Sequence, residues 1–231
     1  MKLIFLEKQK REDDATSFIF QPKKKFTWKA GQYLFYTIPN NNPDNRGITR
    51  YFTISSAPFE EIPTITTRIF NKPTTFKKSL LKLKPGDETE ANGPDGDFVV
   101  EDPKRNFVFI AGGIGITPFH SILKEADHRK QKISVNLLYA NKNENSVFKT
   151  DLESFKKNNP KLKIEYFLSP EHIDEKKLAE MVYGKSSIVN PVFYISGPNS
   201  FVRAIRDMTK AQGVKKENIK TDMFSGYESI N

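Results

Sequence analysis

Through the first hundred residues, aromatic, β-branched and polar side chains alternate in short runs separated by turn signals. Such runs occupy residues 16–20, 32–38, 50–54 and 64–70. They are bounded by Ala30-Gly31, Pro39-Asn40-Asn41-Asn42-Pro43 and Pro85-Gly86-Asp87, a pattern that predicts an antiparallel β-barrel or sandwich. A single helical piece, residues 76–83, interrupts it. After Glu101-Asp102-Pro103-Lys104-Arg105 the rhythm changes. Apolar runs at 107–111, 133–140, 163–168 and 192–196 now alternate with helix-length segments starting near Pro118, Phe148, Asp174 and Asn199. Alternating strand and helix order with short apolar strands predicts an α/β parallel sheet covered by helices on both faces. The expected division is therefore two domains, 1–103 and 104–231, with no repeat, low-complexity tract or long linker.

The sharpest local feature is Phe107-Val108-Phe109-Ile110-Ala111-Gly112-Gly113-Ile114-Gly115-Ile116-Thr117-Pro118. A buried strand runs into glycines and then a helix, with Thr117 expected as its cap and Pro118 at its first position. Glycines let a backbone approach a diphosphate, and the helix start offers unpaired amides and a positive dipole end. This is a dinucleotide site in form, although Pro118 stands where the common fingerprint has its last glycine. About 20 residues on, the next strand ends in Tyr139-Ala140-Asn141-Lys142 without the carboxylate that would take a ribose hydroxyl. Lys142 is either a point charge for a 2′-phosphate or an ordinary surface lysine. A third strand end, Ser196-Gly197-Pro198-Asn199, brings more small residues to the carboxyl edge of the sheet, where ligands of open α/β sheets bind.

Composition narrows the options. The chain of 231 residues has no cysteine, which excludes disulfides, thiolate metal sites and cysteine-held iron–sulfur clusters within it. Its three histidines show no metal-ligand spacing, so no metal site is expected. Four apolar residues near the start are too few for a signal-peptide core, and the uncharged stretch 106–123 is broken by glycines and a proline. A soluble, cytoplasmic protein without a transmembrane segment is expected. The net charge of +9 is uneven: the surplus of basic residues is two up to Pro103 and seven beyond it. The positive half suits phosphate-bearing ligands or acidic partners, or serves simply as a solvated surface. No nucleic-acid recognition motif accompanies it.

In the barrel, Arg50-Tyr51-Phe52-Thr53 places a guanidinium, an aromatic ring and a hydroxyl within one short run. With this segment the chain resembles the ferredoxin–NADP reductase superfamily of flavoproteins over nearly its whole length. The flavin motif Arg-x-Tyr-Ser/Thr is similar to Arg50-Tyr51-Phe52-Thr53, and the glycine-rich nicotinamide motif to Gly112-Gly113-Ile114-Gly115-Ile116-Thr117-Pro118. Ala30-Gly31-Gln32-Tyr33, Lys84-Pro85-Gly86-Asp87 and Gly93-Pro94-Asp95-Gly96-Asp97-Phe98 also resemble members of this group.

The resemblance implies a flavin-binding barrel followed by a nicotinamide-dinucleotide domain, in a reductase that has FAD as cofactor and NADPH or NADH as hydride donor. It implies that Arg50 contacts the flavin diphosphate, Phe52 packs on the isoalloxazine and Thr53 bonds the hydride-accepting nitrogen, with Tyr51 in the same strand. Thr74-Thr75-Phe76-Lys77 matches the helix start that binds the FAD diphosphate in relatives. Gly112, Gly113, Gly115 and Thr117 would receive the dinucleotide, with Asn141 and Lys142 toward its ribose. Ser196-Gly197-Pro198 stands where many relatives carry Cys-Gly-Pro beside the reacting nicotinamide. Phe224 or Tyr227 would lie against the flavin. The electron acceptor would be separate, such as a small acidic ferredoxin or flavodoxin. Two alternatives are a reductase that uses flavin as a substrate and an electron-transfer subunit of a larger complex. Hydride transfer asks for no strong acid or base from the protein, because the cofactors supply the chemistry.

Overall fold

A computed structural model describes residues 1–184 and 189–224. Six strands form the first sheet: β1 (Lys2–Lys10), β2 (Ala15–Pro22), β3 (Tyr33–Thr37), β4 (Thr49–Thr53), β5 (Thr64–Arg68) and β6 (Glu88–Asp95). Their order is β4-β3-β6-β1-β2-β5, antiparallel throughout. Beyond the ladder of β4 the two edges meet, where the Ser55 amide donates to the Thr64 carbonyl at 2.9 Å. The Ser55 and Thr66 hydroxyls add a 2.8 Å bond, so the sheet curls into a nearly closed barrel. Alternation turns Leu3, Phe5, Phe18, Phe20, Leu34 and Tyr36 into one core, and α1 (Thr75–Lys82) closes it with Phe76 and Leu80.

Three strands depart from the sequence reading, one of them residues 219–224 in the second sheet. Residues 2–10, weighed there only against a signal peptide, form a central strand between β2 and β6. Residues 93–95, read as part of a turn, end β6. In β6 the inward positions are Thr89 and Ala91, and Glu88, Glu90 and Asn92 face out. Small or polar inward residues give no apolar alternation to detect, and pairing on both sides makes the strand.

The second sheet is parallel, in the order β11-β10-β7-β8-β9. Its strands are β7 (Asn106–Gly112), β8 (Ser134–Asn141), β9 (Leu162–Leu168), β10 (Val192–Pro198) and β11 (Ile219–Phe224). The helices are α2 (Thr117–His128), α3 (Lys149–Asn158), α4 (Glu175–Tyr183) and α5 (Asn199–Ala211), each starting within a residue of its expected position. Strand β7 is buried on both faces. Phe107 and Phe109 meet α2 and α3 residues such as Phe119 and Leu152, while Val108 and Ile110 meet α4 and α5 through Leu178 and Val202. Among the described residues no helix is long and apolar enough to cross a membrane.

Candidate functional site

The carboxyl ends of β4 and β11 and the start of α2 converge on one cleft of about 290 Å³. Its lining includes Arg46, Arg50, Phe52, Thr53, Thr74, Phe76, Lys77, Ile114, Thr117 and Phe224. The volume lies at the small end of the usual range for ligand pockets, roughly 300–1,000 Å³, and its walls are mainly aromatic and apolar.

At the cationic end Arg50 is fixed from several sides. Its Nη2 donates to Asp44 Oδ1 at 2.6 Å, and its Nη1 donates to the carbonyls of Arg46, Gly47 and Thr49. Asp44 also accepts from Arg46 and from the Thr75 hydroxyl at 3.0 Å. The Arg46 hydrogen bonds, opposed by burial, hold the Asp44 carboxyl well below the usual carboxylate range. The Arg50 guanidinium lies 5.6 Å from the Phe76 ring centre, and Phe76 stacks on Phe52 at 5.7 Å. Thr74 caps α1, its hydroxyl accepting from the Lys77 amide at 3.3 Å. The Lys77 ammonium donates to the Arg68 carbonyl.

Strand alternation sends Tyr51 and Thr53 the other way, toward β11. Tyr51 Oη donates to the Met223 carbonyl at 2.6 Å, and Thr53 Oγ1 donates to Asp222 Oδ2 at 3.2 Å. Asp222 pairs in register with Ser196 on β10, and Phe224 pairs with Pro198. Burial pushes the Asp222 carboxyl up to about 7, against a lowering from the Thr53 bond. Ser196 is wholly buried, and its Oγ has no hydrogen-bond partner among the described residues.

The glycines of the second domain differ in their tasks. A Cβ on Gly115 would stand 2.3 Å from the Ser196 carbonyl oxygen, and one on Gly112 would strike the Phe201 ring. These two let the loop pack on β10 and α5, and Gly197 lies against Gly112 from the β10 side. Gly113, at φ +53°, takes the left-handed turn and faces the Arg68 guanidinium. Thr117 is not the cap that the sequence suggested. Residues 113–116 form a 3₁₀ turn that already delivers helical backbone at Ile116, so Thr117 is the first helical residue and its hydroxyl donates back to the Ile114 carbonyl. Asn141 Oδ1 accepts from Arg68 Nη2 at 2.7 Å, and Lys142 is exposed beside it. Tyr227 lies outside the described residues.

Asp222 and Arg68 were missed by sequence reasoning. Asp222 offered one signal, a lone acid two positions before Phe224. Arg68 ends β5, is ion-paired with Asp13 and crosses to Asn141 in the other domain, and only the fold brings these segments together.

Residues 109–207 match the family of oxidoreductase NAD-binding domains. Over 98% of its length the chain is 29% identical to flavohemoprotein A of Dictyostelium discoideum, of which it spans 61%. Among solved structures it superposes on the cytochrome P450 reductase GcoB of Amycolatopsis with a TM-score of 0.80 at 21% identity, covering 97% of this chain and 70% of that one. Ferredoxin-NADP+ reductase from Plasmodium falciparum gives 0.78 at 19% identity, covering 96% and 95%. At such identities the superpositions establish the fold.

Proposed function

We propose that this chain, whose residues 109–207 match the oxidoreductase NAD-binding family and whose two sheets take the ferredoxin–NADP reductase fold, moves hydride from NAD(P)H to FAD and electrons on to a separate acceptor. In this reading residues 1–103 hold FAD and residues 104–231 hold the dinucleotide. The observation that carries it is the single cleft in which the flavin-type strand end, the glycine turn and the β11 aromatic meet.

The donor set fits a flat anionic cofactor. Arg46, Arg50, Lys77 and the capped start of α1 gather positive charge and amides at one end, and Phe52, Phe76 and Phe224 supply apolar surface along the rest. FAD, when bound, would supply the hydride-accepting ring. Arg50 and residues 74–77 would bind its diphosphate, Tyr51 and Phe52 would fix the strand beside its ring, and Thr53 would donate to the ring nitrogen. Asp222 supports Thr53: burial favours its protonated form, which can donate to Thr53 Oγ1 and leave the threonine proton for the ligand. Ser196, Gly197 and Pro198 would face the nicotinamide, while Gly113, Thr117, Arg68, Asn141 and Lys142 would line the rest of the dinucleotide path. Phe224 would exclude water from the ring.

Asn141 and Lys142, lacking a carboxylate, favour NADPH over NADH by a small margin. The excess of basic residues fits a small acidic electron carrier such as a ferredoxin or flavodoxin. The reaction belongs in the cytoplasm, where reduced nicotinamide dinucleotide is maintained. The purified protein is expected to be yellow, with about one FAD per chain, and Arg50→Ala to retain less. A colourless protein that takes up no FAD on reconstitution, or one that holds FMN, overturns the assignment.

A further inference from the structure

His120 sits in the second turn's approach of α2, five residues after Gly115, and is 4% exposed. Its Nδ1 lies 2.8 Å from the Ser55 carbonyl oxygen of the barrel, and its Nε2 lies 2.9 Å from Asp151 Oδ2 on α3. The ring stacks on Phe148 at 3.8 Å and 13°. The neighbouring Ser121 hydroxyl donates to the Ser56 carbonyl at 2.7 Å. Two successive residues of the dinucleotide-side helix therefore grip the backbone that leaves Thr53.

Both partners of the imidazole are acceptors. A peptide carbonyl has no proton to give, and the Asp151 carboxyl is held below its usual range, first of all by its bond to His120, so it stays ionised. A neutral imidazole carries one N–H, which leaves its other nitrogen lone pair facing an oxygen lone pair. Only the imidazolium satisfies both contacts. The remaining charged groups around the pair are Lys124 on α2, itself bonded to Glu60, Arg11 over the Phe148 ring, and Glu12, whose carboxylate accepts from the Phe148 amide.

We infer that His120 is a positioning residue: held as an imidazolium, it latches the start of the dinucleotide helix to the exit of the flavin strand and sets how the two domains meet. The kinetic consequence rests on the hydride-transfer reading above. Because α2 continues directly from residues 113–116, any slip of its first turns against Ser55 and Ser56 changes the distance between the glycine turn and Thr53. Loss of either ring contact loosens the latch.

Nitrogen-15 NMR of the full chain with labelled histidine tests the charge directly, His120→Gln serving to assign the signals. At pH 7 both His120 ring nitrogens are expected to be protonated. Asp151→Asn supplies an amide that can donate to Nε2, so the ring is expected to become neutral with the proton on Nδ1. In stopped-flow reduction of the bound flavin at saturating NAD(P)H and pH 7, the limiting rate of His120→Gln is expected to fall about three- to tenfold below that of the wild type. The Asp151→Asn rate is expected to stay near that of the wild type, because both contacts of the ring are kept, with flavin retention unchanged. A neutral His120 ring in the wild type at pH 7, a ring charge that Asp151→Asn leaves in place, or a His120→Gln rate equal to that of the wild type overturns the inference. A chain that binds no flavin removes the hydride-transfer reading and the kinetic consequence with it, and the NMR result still decides the charge of the latch.

Discussion

Thr53 has one proton and two claims on it. In the structure it donates to Asp222, and in the proposed reaction it donates to the flavin. Thr53→Ala is expected to leave FAD bound and to slow its reduction by NAD(P)H by about tenfold to a hundredfold, as measured by stopped flow, because a well-placed donor acts most strongly as charge develops. Equal rates in the two proteins would remove Thr53 from the chemistry. Asp222 makes a separate, thermodynamic prediction. Burial raises its folded-state pKa to about 7, so between about pH 4 and 7 the native state binds more protons than the unfolded chain. The contribution of Asp222 to stability is therefore expected to be fullest at the acid end of that window and to fall as pH rises to about 7. Asp222→Asn should flatten this dependence and be the more stable protein at pH 8 by on the order of 2 kcal/mol. Denaturant unfolding across the window measures both. The Arg50-x-x-Thr53 run was legible in the sequence as a site, but its acid was not, because Asp222 lies 169 positions away and meets Thr53 only across the domain interface.

At the scale of elements, the glycine turn shows how one motif divides its labour. The sequence reading gave all its glycines to the ligand, whereas Gly112 and Gly115 first allow β7, β10 and α5 to approach one another. Gly115→Ala would drive a methyl carbon to 2.3 Å from a backbone oxygen that no side-chain rotation can move. It is expected to cost about 1–3 kcal/mol or more in denaturant unfolding, with the loss appearing before any dinucleotide is added. An Ala variant as stable as the wild type would show that this contact relaxes freely. Apart from β11, which carries Lys220 and Asp222, most of the second domain was legible because β7, β8 and β10 are largely apolar runs and its helices begin at clear breaks. Strands β1 and β6 were less so, since Glu88 to Asp95 place only Thr89 and Ala91 inward and announce no apolar face.

For the whole molecule, the question is which dinucleotide the positive half of the chain prefers. Lys142 stands exposed at the end of β8, beside an Asn141 already engaged by Arg68. An exposed charge pair contributes roughly 0–1 kcal/mol, so Lys142 alone gives at most about a fivefold preference for NADPH. The ratio of kcat/KM for NADPH and NADH is expected to exceed one and to drop toward one in Lys142→Ala. A wild-type preference for NADH, or an NADPH preference that the substitution leaves untouched, would reject this role for the lysine.

The order of strands and helices apart from β1, β6 and β11, the glycine turn, the cationic and aromatic flavin-type run and the lack of cysteine ligands follow from the chain as written, because each is set by local alternation, turn chemistry or composition. The pairing of β1 with β6, the Thr53 to Asp222 bond, the Arg68 bridge to Asn141 and the imidazole held between Ser55 and Asp151 do not. Each joins residues from segments far apart in the chain, and the protonation of the buried groups among them depends on burial and on which acceptors the packing brings near. Those are properties of the folded interface between the two sheets, and no window of sequence contains them.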